Sequence, residues 1–430
     1  MGRRIAWLVP HPLKGSGGHR TIFQKVTTLA EAGHDCHVYL EPAMNGVAPS
    51  YATADEGRRL IESYFGAVPA TFHLGFDAAD AELIFATAWF TAIPLRRLQT
   101  KAVKAYFVQD FEAAFQPMGD QYLAAQNTLR YGFESITIGR WLARRLKDEY
   151  GTNAGFFDFC ADLDVYRPIE GARRERSVCF LYQPDKPRRC SLLGAQALAI
   201  VARVLPDVKI RLYGHDDRAH VPFGFHNQGL LSIEDCNVLY NQSQVGLCIS
   251  TTNPSRIPFE MMAAGLPVVD VFGENTRYDL PSGAIALAEP TAESVAHAII
   301  GLLSDEPRLR RMSEAGKAFM RERALGVGLA QFRAYVDRLF DAGTSAASPP
   351  EPLYQTPHVR APAAHAERYR VELERAEAEH AARVRAEEER AAREAAARAE
   401  AERRSRPISS VSKRIVNRLR HTLRVLTTGS

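Results

Sequence analysis

The sequence predicts an α/β protein: two consecutive Rossmann-like units with parallel sheets, followed by a helical extension. Three observations point there. Short apolar runs alternate with helical segments twice over, through residues 1–160 and again through 161–343. A glycine-rich loop, Gly15-Ser16-Gly17-Gly18, follows the first apolar run and opens a helix. Beyond residue 343 the composition changes, first to Pro, Ser and Ala and then to almost pure Ala, Glu and Arg.

At 430 residues the chain exceeds what one hydrophobic core organises, so more than one domain is expected. An apolar fraction of 46% and a charged fraction of 24% are those of a soluble globular protein, and a formal charge of +4 makes no case for nucleic acid. Cys36, Cys160, Cys179, Cys190, Cys236 and Cys248 form no Cys-x-x-Cys pair, and several lie in apolar runs. They read as small buried hydrophobes in a reducing compartment. The N-terminal apolar run is too short for a signal peptide, Ala6 stands where myristoylation wants Ser or Thr, and no run reaches transmembrane length. A cytoplasmic location is the expectation.

In chain order, Ile5–Pro10 reads as a buried strand, followed by the glycine loop, a helix over Arg20–Ala32 ending at Gly33, and a strand over Cys36–Leu40. The glycines do not spell Gly-x-Gly-x-x-Gly, and a ribose-binding acid is missing after the second strand. Further strands are expected at Glu82–Ala86, Val103–Gln109 and Ser135–Ile138, with helices at Thr91–Leu98, Gln121–Tyr131 and Trp141–Tyr150. Cys160–Pro168 is the expected boundary. Its Asp162-Leu163-Asp164 spells an Asp-x-Asp of the kind that holds a metal with a nucleotide, but it lies between two βα series, so no metal site is assigned. The second series opens at Val178–Tyr182, continues through the cationic loop Lys186-Pro187-Arg188-Arg189, a helix over Ser191–Val204, strands at Val208–Tyr213 and Phe225–Leu230, and a helix capped by Ser232.

Val245–Ile249 then reads as a strand, Pro254 and Pro258 bracket a loop, and Phe259–Ala264 is a short helix closed by Gly265. Pro267–Val271 resumes as strand. Phe272-Gly273-Glu274-Asn275 reads as a turn, Ala284–Leu287 as the last strand, and Thr291–Leu303 and Glu306–Phe340 as closing helices. Ligands of open α/β sheets gather at the carboxyl ends of strands, and helix N-termini receive phosphate. Glu260 sits in such a first turn; read alone, it is a carboxylate favoured by the helix dipole. The basic loop, read alone, is a solvated cationic loop.

The run Pro258-Phe259-Glu260-Met261-Met262-Ala263-Ala264-Gly265-Leu266-Pro267-Val268-Val269 resembles the donor-nucleotide motif of GT-B glycosyltransferases of family 4. The resemblance implies two Rossmann-like domains facing a cleft, with Glu260 on the ribose hydroxyls of a nucleotide-sugar. In the family a first Glu stands eight residues earlier and contacts the donor sugar; here that position is Thr252. Such a replacement is similar to rhamnosyltransferases of bacterial surface-glycan assembly, which implies a deoxysugar donor such as dTDP-rhamnose. The resemblance places Lys186 and Arg188, with Arg189 and Arg256 as further choices, on the donor diphosphate. It places Gly17, Gly18 and His19 at the sugar, Thr252 and Pro258 beside Glu260, and Asp110 and Glu112, after the Val103–Gln109 strand, at the acceptor hydroxyl as binder or base. It implies a retaining, metal-independent hexosyltransferase acting on a glycan or lipid-linked glycan without a cofactor. Two rival readings share part of this: a GT-B nucleotide-sugar 2-epimerase, and a non-catalytic scaffold working through its tail.

The extension divides into a linker over 344–366, a charged helix over 367–405 and a basic amphipathic helix over 406–430. Glu379–Arg383, Glu389–Arg393, Glu394–Arg398 and Glu400–Arg404 are i,i+4 pairs supporting the charged helix. Apolar a/d residues are nearly absent, so a solvated helix is expected over a strong coiled coil. In the last segment Ile408, Val411, Ile415, Leu419 and Leu426 form a stripe accompanied by Arg406, Lys413, Arg414, Arg418, Arg420 and Arg424 and no acid. That pattern suits an anionic membrane surface at its inner face or a partner's groove.

Overall fold

The computed structural model describes residues 2–42, 50–215, 219–341 and 350–405, with side chains to 401. Two all-parallel sheets organise residues 1–373, which form one compact unit.

The first sheet is built from β1 (Arg4–Val9), helix α1 (Gly17–Glu31), β2 (Asp35–Leu40), α2 (Ala54–Phe65), β3 (Thr71–Leu74), β4 (Leu83–Ala86), α3 (Trp89–Arg97), β5 (Val103–Val108), α4 (Asp120–Thr128), β6 (Glu134–Ile138), α5 (Arg140–Tyr150) and β7 (Ala154–Phe157). Its order is β3-β2-β1-β4-β5-β6-β7, so the order reverses between β1 and β4. β1 is buried along five of its six residues, which is why its apolar run does not alternate. Three elements were absent from the sequence reading: α2, β3 and β7. β3 and β7 are the two edge strands and are only partly buried, so neither shows the fully buried pattern of the inner strands.

The second sheet follows with β8 (Ser177–Leu181), α6 (Ser191–Val204), β9 (Lys209–Tyr213), β10 (His226–Asn227), α7 (Ile233–Gln242), β11 (Val245–Leu247), α8 (Ile257–Ala263), β12 (Val268–Val271), α9 (Glu274–Asp279), β13 (Ile285–Ala288) and α10 (Ala292–Leu303). Its order is β10-β9-β8-β11-β12-β13, reversing between β8 and β11. Residues 272–275, expected as a turn, instead lead into α9: the Thr276 hydroxyl accepts from Gly273 N–H at 3.0 Å and starts the helix.

The expected single helix over Glu306–Phe340 is two, α11 (Glu306–Arg321) and α12 (Leu325–Phe340), because Ala324 turns to extended backbone between them. At that break Ala161 N–H donates to Arg323 O at 3.1 Å, so the two segments joining the sheets run side by side. α12 crosses back to the first sheet, packing on α1 and β7. Phe332 is fully buried there, its ring 5.5–6.0 Å from those of Trp7, Phe85, Phe107 and Phe157. Tyr335 donates to Ser135 O at 2.9 Å and packs over Gly155, whose missing Cβ would lie 2.4 Å from the ring.

The expected linker is corrected in its described part. Residues 350–362 form a strap along the second sheet: Val359 N–H donates to Leu287 O at 2.7 Å, and Glu289 N–H to Val359 O at 2.9 Å. Tyr354 is buried, and His358 stacks on Phe272 with ring centroids 4.5 Å apart. The helix that follows, α13 (Ala363–Ser405), starts four residues earlier than its composition suggested. Tyr369, on its first turns, packs against His297 and His365. The second compact unit, from Glu374, continues as helix with mostly exposed side chains and a Glu389–Arg393 ion pair at 3.6 Å. The amphipathic segment 406–430 lies outside the described residues. Among those described, no helix is long and apolar enough to cross a membrane.

Candidate functional site

The two loops singled out in the sequence leave β8 and β11, the strands flanking the switch point of the second sheet. In open sheets of this kind ligands bind at the carboxyl ends of the strands beside such a switch point. The loops are tied together: Thr251 N–H donates to Arg188 O at 3.0 Å.

After β8, Lys186 caps a 3-10 turn over Pro187–Arg189, and Cys190 then adopts φ +47° before α6 begins. A left-handed non-glycine residue is strained, and among the described residues Cys190 is alone in it. The kink packs three cations into four positions. Lys186 is half-buried, and burial lowers its pKa against the opposing pull of Asp185. The Arg188 guanidinium lies 4.6 Å from the Phe115 ring centroid, a cation–π contact that crosses from the second sheet domain to the first. Arg189 differs: its Nε and Nη1 are buried without a hydrogen-bond partner among the described residues.

After β11, Pro258 stands in the first turn of α8, where its missing N–H costs nothing, and Gly265 ends the helix at φ +73°. Glu260 is buried in that first turn. Burial raises its pKa, while Arg256, the Tyr166 hydroxyl, Arg20 and Arg189 pull it down. A buried carboxyl beside the Tyr166 hydroxyl at the head of a helix can accept hydroxyl groups of a ligand. Arg256 also donates to the Thr21 hydroxyl of α1 at 3.2 Å. With Lys25, Asp158 and Cys160 it lines a small cavity between the domains, of about 20 Å³.

Facing these loops, Gly17 and Gly18 open α1. A Cβ on Gly17 would meet open space, whereas one on Gly18 would lie 3.7 Å from the Gln109 side chain. His19 is corrected. It is buried; Ser16 Oγ accepts from its backbone N–H and sits 2.9 Å from Nδ1, while Nε2 reaches Pro10 O at 3.3 Å. Both ring nitrogens are engaged, and burial lowers the ring's pKa, so His19 braces the glycine loop and offers no free base.

Asp110 and Glu112 are corrected as well. Asp110 Oδ1 accepts the N–H groups of Asn253 (2.8 Å) and Phe111 (2.8 Å), and Oδ2 accepts the Thr252 hydroxyl (3.1 Å). Both carboxylate oxygens are therefore spent joining the domains. Thr252, expected beside the sugar, gives its proton to that carboxylate. Glu112 accepts from Trp89 N–H at 2.6 Å, holding the head of α3, and burial pushes its pKa up to about 8. A carboxyl that keeps its proton at neutral pH is no base for an acceptor hydroxyl. Asp162, read as half of an Asp-x-Asp, accepts Asp164 N–H at 3.1 Å within a turn.

Four residues that sequence reasoning missed belong to this region. Asn253 donates to Gln109 O and Ile138 O, both at 2.9 Å, riveting the central loop to the first domain. Tyr166 is buried beside Glu260. Phe115 receives Arg188. Asp270, fully buried in β12, was visible in the sequence as one charge inside an apolar strand.

These features have known counterparts. Residues 176–300 match the WsaF C-terminal domain family. A 221-residue stretch is 33% identical to the O-antigen biosynthesis protein RfbC of Myxococcus xanthus, covering 50% of this chain and 17% of that protein's length. Among solved structures, sucrose-phosphate synthase from Thermosynechococcus elongatus superposes with a TM-score of 0.61 at 15% identity over 79% of this chain and 100% of that one. HepE from Anabaena, solved with UDP-glucose, superposes at 0.60 with 14% identity over 79% and 100%. The chain has the GT-B fold of glycosyltransferases. Across that fold Arg188 meets Phe115, Thr252 and Asn253 bond to Asp110, and Arg256 bonds to Thr21.

Proposed function

We propose that this chain is a glycosyltransferase of O-antigen or related surface-glycan assembly, moving a sugar from a nucleoside diphosphate donor to a glycan hydroxyl. The observation that carries the reading is Glu260, a carboxyl buried beside Tyr166 at the head of α8, with the three cations of the Lys186–Arg189 loop on the strand across the switch point. Likeness to RfbC supports the pathway class, and the UDP-glucose complex of HepE supports a nucleotide-sugar donor.

In this reading Glu260 accepts the ribose hydroxyls, while Lys186, Arg188 and Arg189 hold the diphosphate. As the bond between anomeric carbon and phosphate oxygen breaks, negative charge grows on the departing diphosphate, and fixed cations stabilise that growth more than the ground state. Gly17 lets the donor approach the α1 backbone. The finer reading is a deoxysugar donor such as dTDP-rhamnose, transferred with retention and with these cations supplying the charge that a metal supplies elsewhere. Thr252, turned towards Asp110, supports it, since no carboxylate stands there for a sugar hydroxyl. The basic segment 406–430 would bring the enzyme to a lipid-linked acceptor at an anionic membrane surface.

The test is calorimetry of the full chain with dTDP, UDP and GDP, followed by product analysis with the sugar donor of whichever binds. Selective binding of one nucleotide, lost in Glu260→Ala, is the expected result. Equal, negligible heats for all three would overturn the site.

A further inference from the structure

The small cavity at the domain junction is lined by two cations with which no carboxylate pairs. Lys25 reaches it from α1 of the first sheet domain, and Arg256 from the loop before α8 of the second. Lys25 is 2% exposed. Its ammonium carries three N–H groups, and among the described residues one acceptor meets them, Gly328 O at 3.2 Å. The Phe157 and Phe332 rings pack against it, with centroids 4.1 and 5.3 Å away. Arg256 donates through Nη1 to the Thr21 hydroxyl at 3.2 Å. Neither cation forms an ion pair among the described residues.

The other charged group on the cavity wall is Asp158. Both of its oxygens are taken, Oδ1 by Arg140 Nε at 3.1 Å and Oδ2 by Gln331 Nε2 at 3.2 Å. Cys160 lines the cavity too, but burial pushes its thiol pKa up, so it brings no negative charge. An excess of positive charge is thus kept away from water, where it costs most. Burial, with Arg256 adding, brings the Lys25 pKa down to about 7. An anion between the two would hold the ammonium in its charged form. Size narrows the choice. A volume of about 20 Å³ takes one particle near the size of a water molecule and excludes sulfate, phosphate or a diphosphate.

We propose that the cavity is a halide site: one chloride ion received by the Lys25 ammonium and the Arg256 guanidinium, joining α1 to the second sheet domain. The site is separate from the nucleotide-sugar reading and stands without it. Chloride and a proton arrive together, because the neutral amine of Lys25 attracts no anion. The charged and titratable groups around that amine are Arg256, the Asp158–Arg140 pair, Cys160 and, beyond it, Arg323.

The experiment follows thermal unfolding of the full-length chain at pH 6.5 as chloride replaces gluconate at constant ionic strength. The midpoint should rise saturably, by at least about 2 °C at roughly 0.2 M chloride. Bromide should act alike and give one anomalous-scattering peak between Lys25 and Arg256 in a bromide-soaked crystal. Lys25→Met should lose both the rise and the peak. At pH 9 the wild-type rise should shrink to less than about half, as Lys25 gives up its proton. An unmoved wild-type midpoint, or the same rise in Lys25→Met, overturns the proposal and leaves the cavity to water. If Lys25→Met folds poorly, Arg256→Gln decides: it should raise the half-saturating chloride concentration severalfold, and an unchanged value overturns the site.

Discussion

The carboxylate of Asp279, on the second sheet domain, accepts the backbone N–H groups of Arg140 (2.7 Å) and Trp141 (3.1 Å), at the head of α5 in the first. A helix lacks partners for its first N–H groups, and here the neighbouring domain supplies the cap. Gly139 makes the approach possible: at φ +81° it turns the chain, and a Cβ there would lie 2.8 Å from Asp279 Oδ1 and 2.5 Å from the Phe159 ring. Gly139→Ala should therefore cost more than about 2 kcal/mol, combining left-handed strain with a clash. Asp279→Ala should cost about 2 kcal/mol by leaving two donors unmet. Urea unfolding of both variants measures this, and wild-type midpoints would refute the capping role.

Thr252 stands where the resembled family carries Glu, and restoring Glu is predicted to harm this protein. The Thr252 hydroxyl donates to Asp110, so Thr252→Glu would set two buried carboxylates against each other. The expected outcome is a lower melting temperature and a weaker donor KM. Simultaneous Asp110→Asn should recover a large part of both losses. A gain of activity in the single variant would show that the sugar side of the cleft, not the domain junction, governs this position.

Lys25 is buried, donates to Gly328 O at 3.2 Å, and lies 4.1 Å from the Phe157 ring centroid. Burial is the main cause that brings its pKa down to about 7, the nearby Arg256 adding and Cys160 opposing. An amine depressed in the folded state penalises folding fully below about pH 7, and the penalty fades towards the unfolded value of 10.5. Lys25→Met, similar in volume, should thus stabilise the protein most at pH 6 to 7. Its advantage should shrink by about 1.4 kcal/mol per pH unit above that. Denaturant midpoints at pH 6.5 and pH 9 give the slope.

The strap at 350–362 makes the length of the catalytic unit a measurable quantity. Ending the chain at 343 removes Tyr354, which is buried, and the Val359 pairing with Leu287 and Glu289. That truncation should lower the melting temperature by at least about 5 °C, whereas a chain ending at 373 should keep most of the stability. Matching melting curves for the two would mean that the strap only rests on the surface.

Much of the architecture was legible in the sequence because buried parallel strands appear as unbroken apolar runs. Val245–Leu247 and Val268–Val271 are of that kind. Ser232, Pro258 and Gly265 marked helix ends by chemistry that any sequence displays. β3 and β7 were illegible because edge strands that are only partly buried lack the pattern. The Lys186–Arg189 loop and the helix head holding Glu260 could be placed after buried strands because those strands are unbroken apolar runs. Asp110 and His19 could not be read correctly, because what decides their work is a partner: Asn253 lies 143 residues from Asp110, and Pro10 lies nine residues from His19. Asp279 carried no local signal, since the N–H groups it caps belong to another domain.

The return of α12 has a consequence for how the chain is made. Trp7, Phe85, Phe107 and Phe157 leave the ribosome early, yet the ring that closes their cluster is Phe332, synthesised after the whole second sheet. The N-terminal half therefore cannot complete its interior during translation. It waits with an apolar face uncovered, the condition under which nascent chains recruit chaperones or associate with one another. Variants that weaken α12 docking should thus show up first as poor yield of soluble protein, before any change in catalysis is seen.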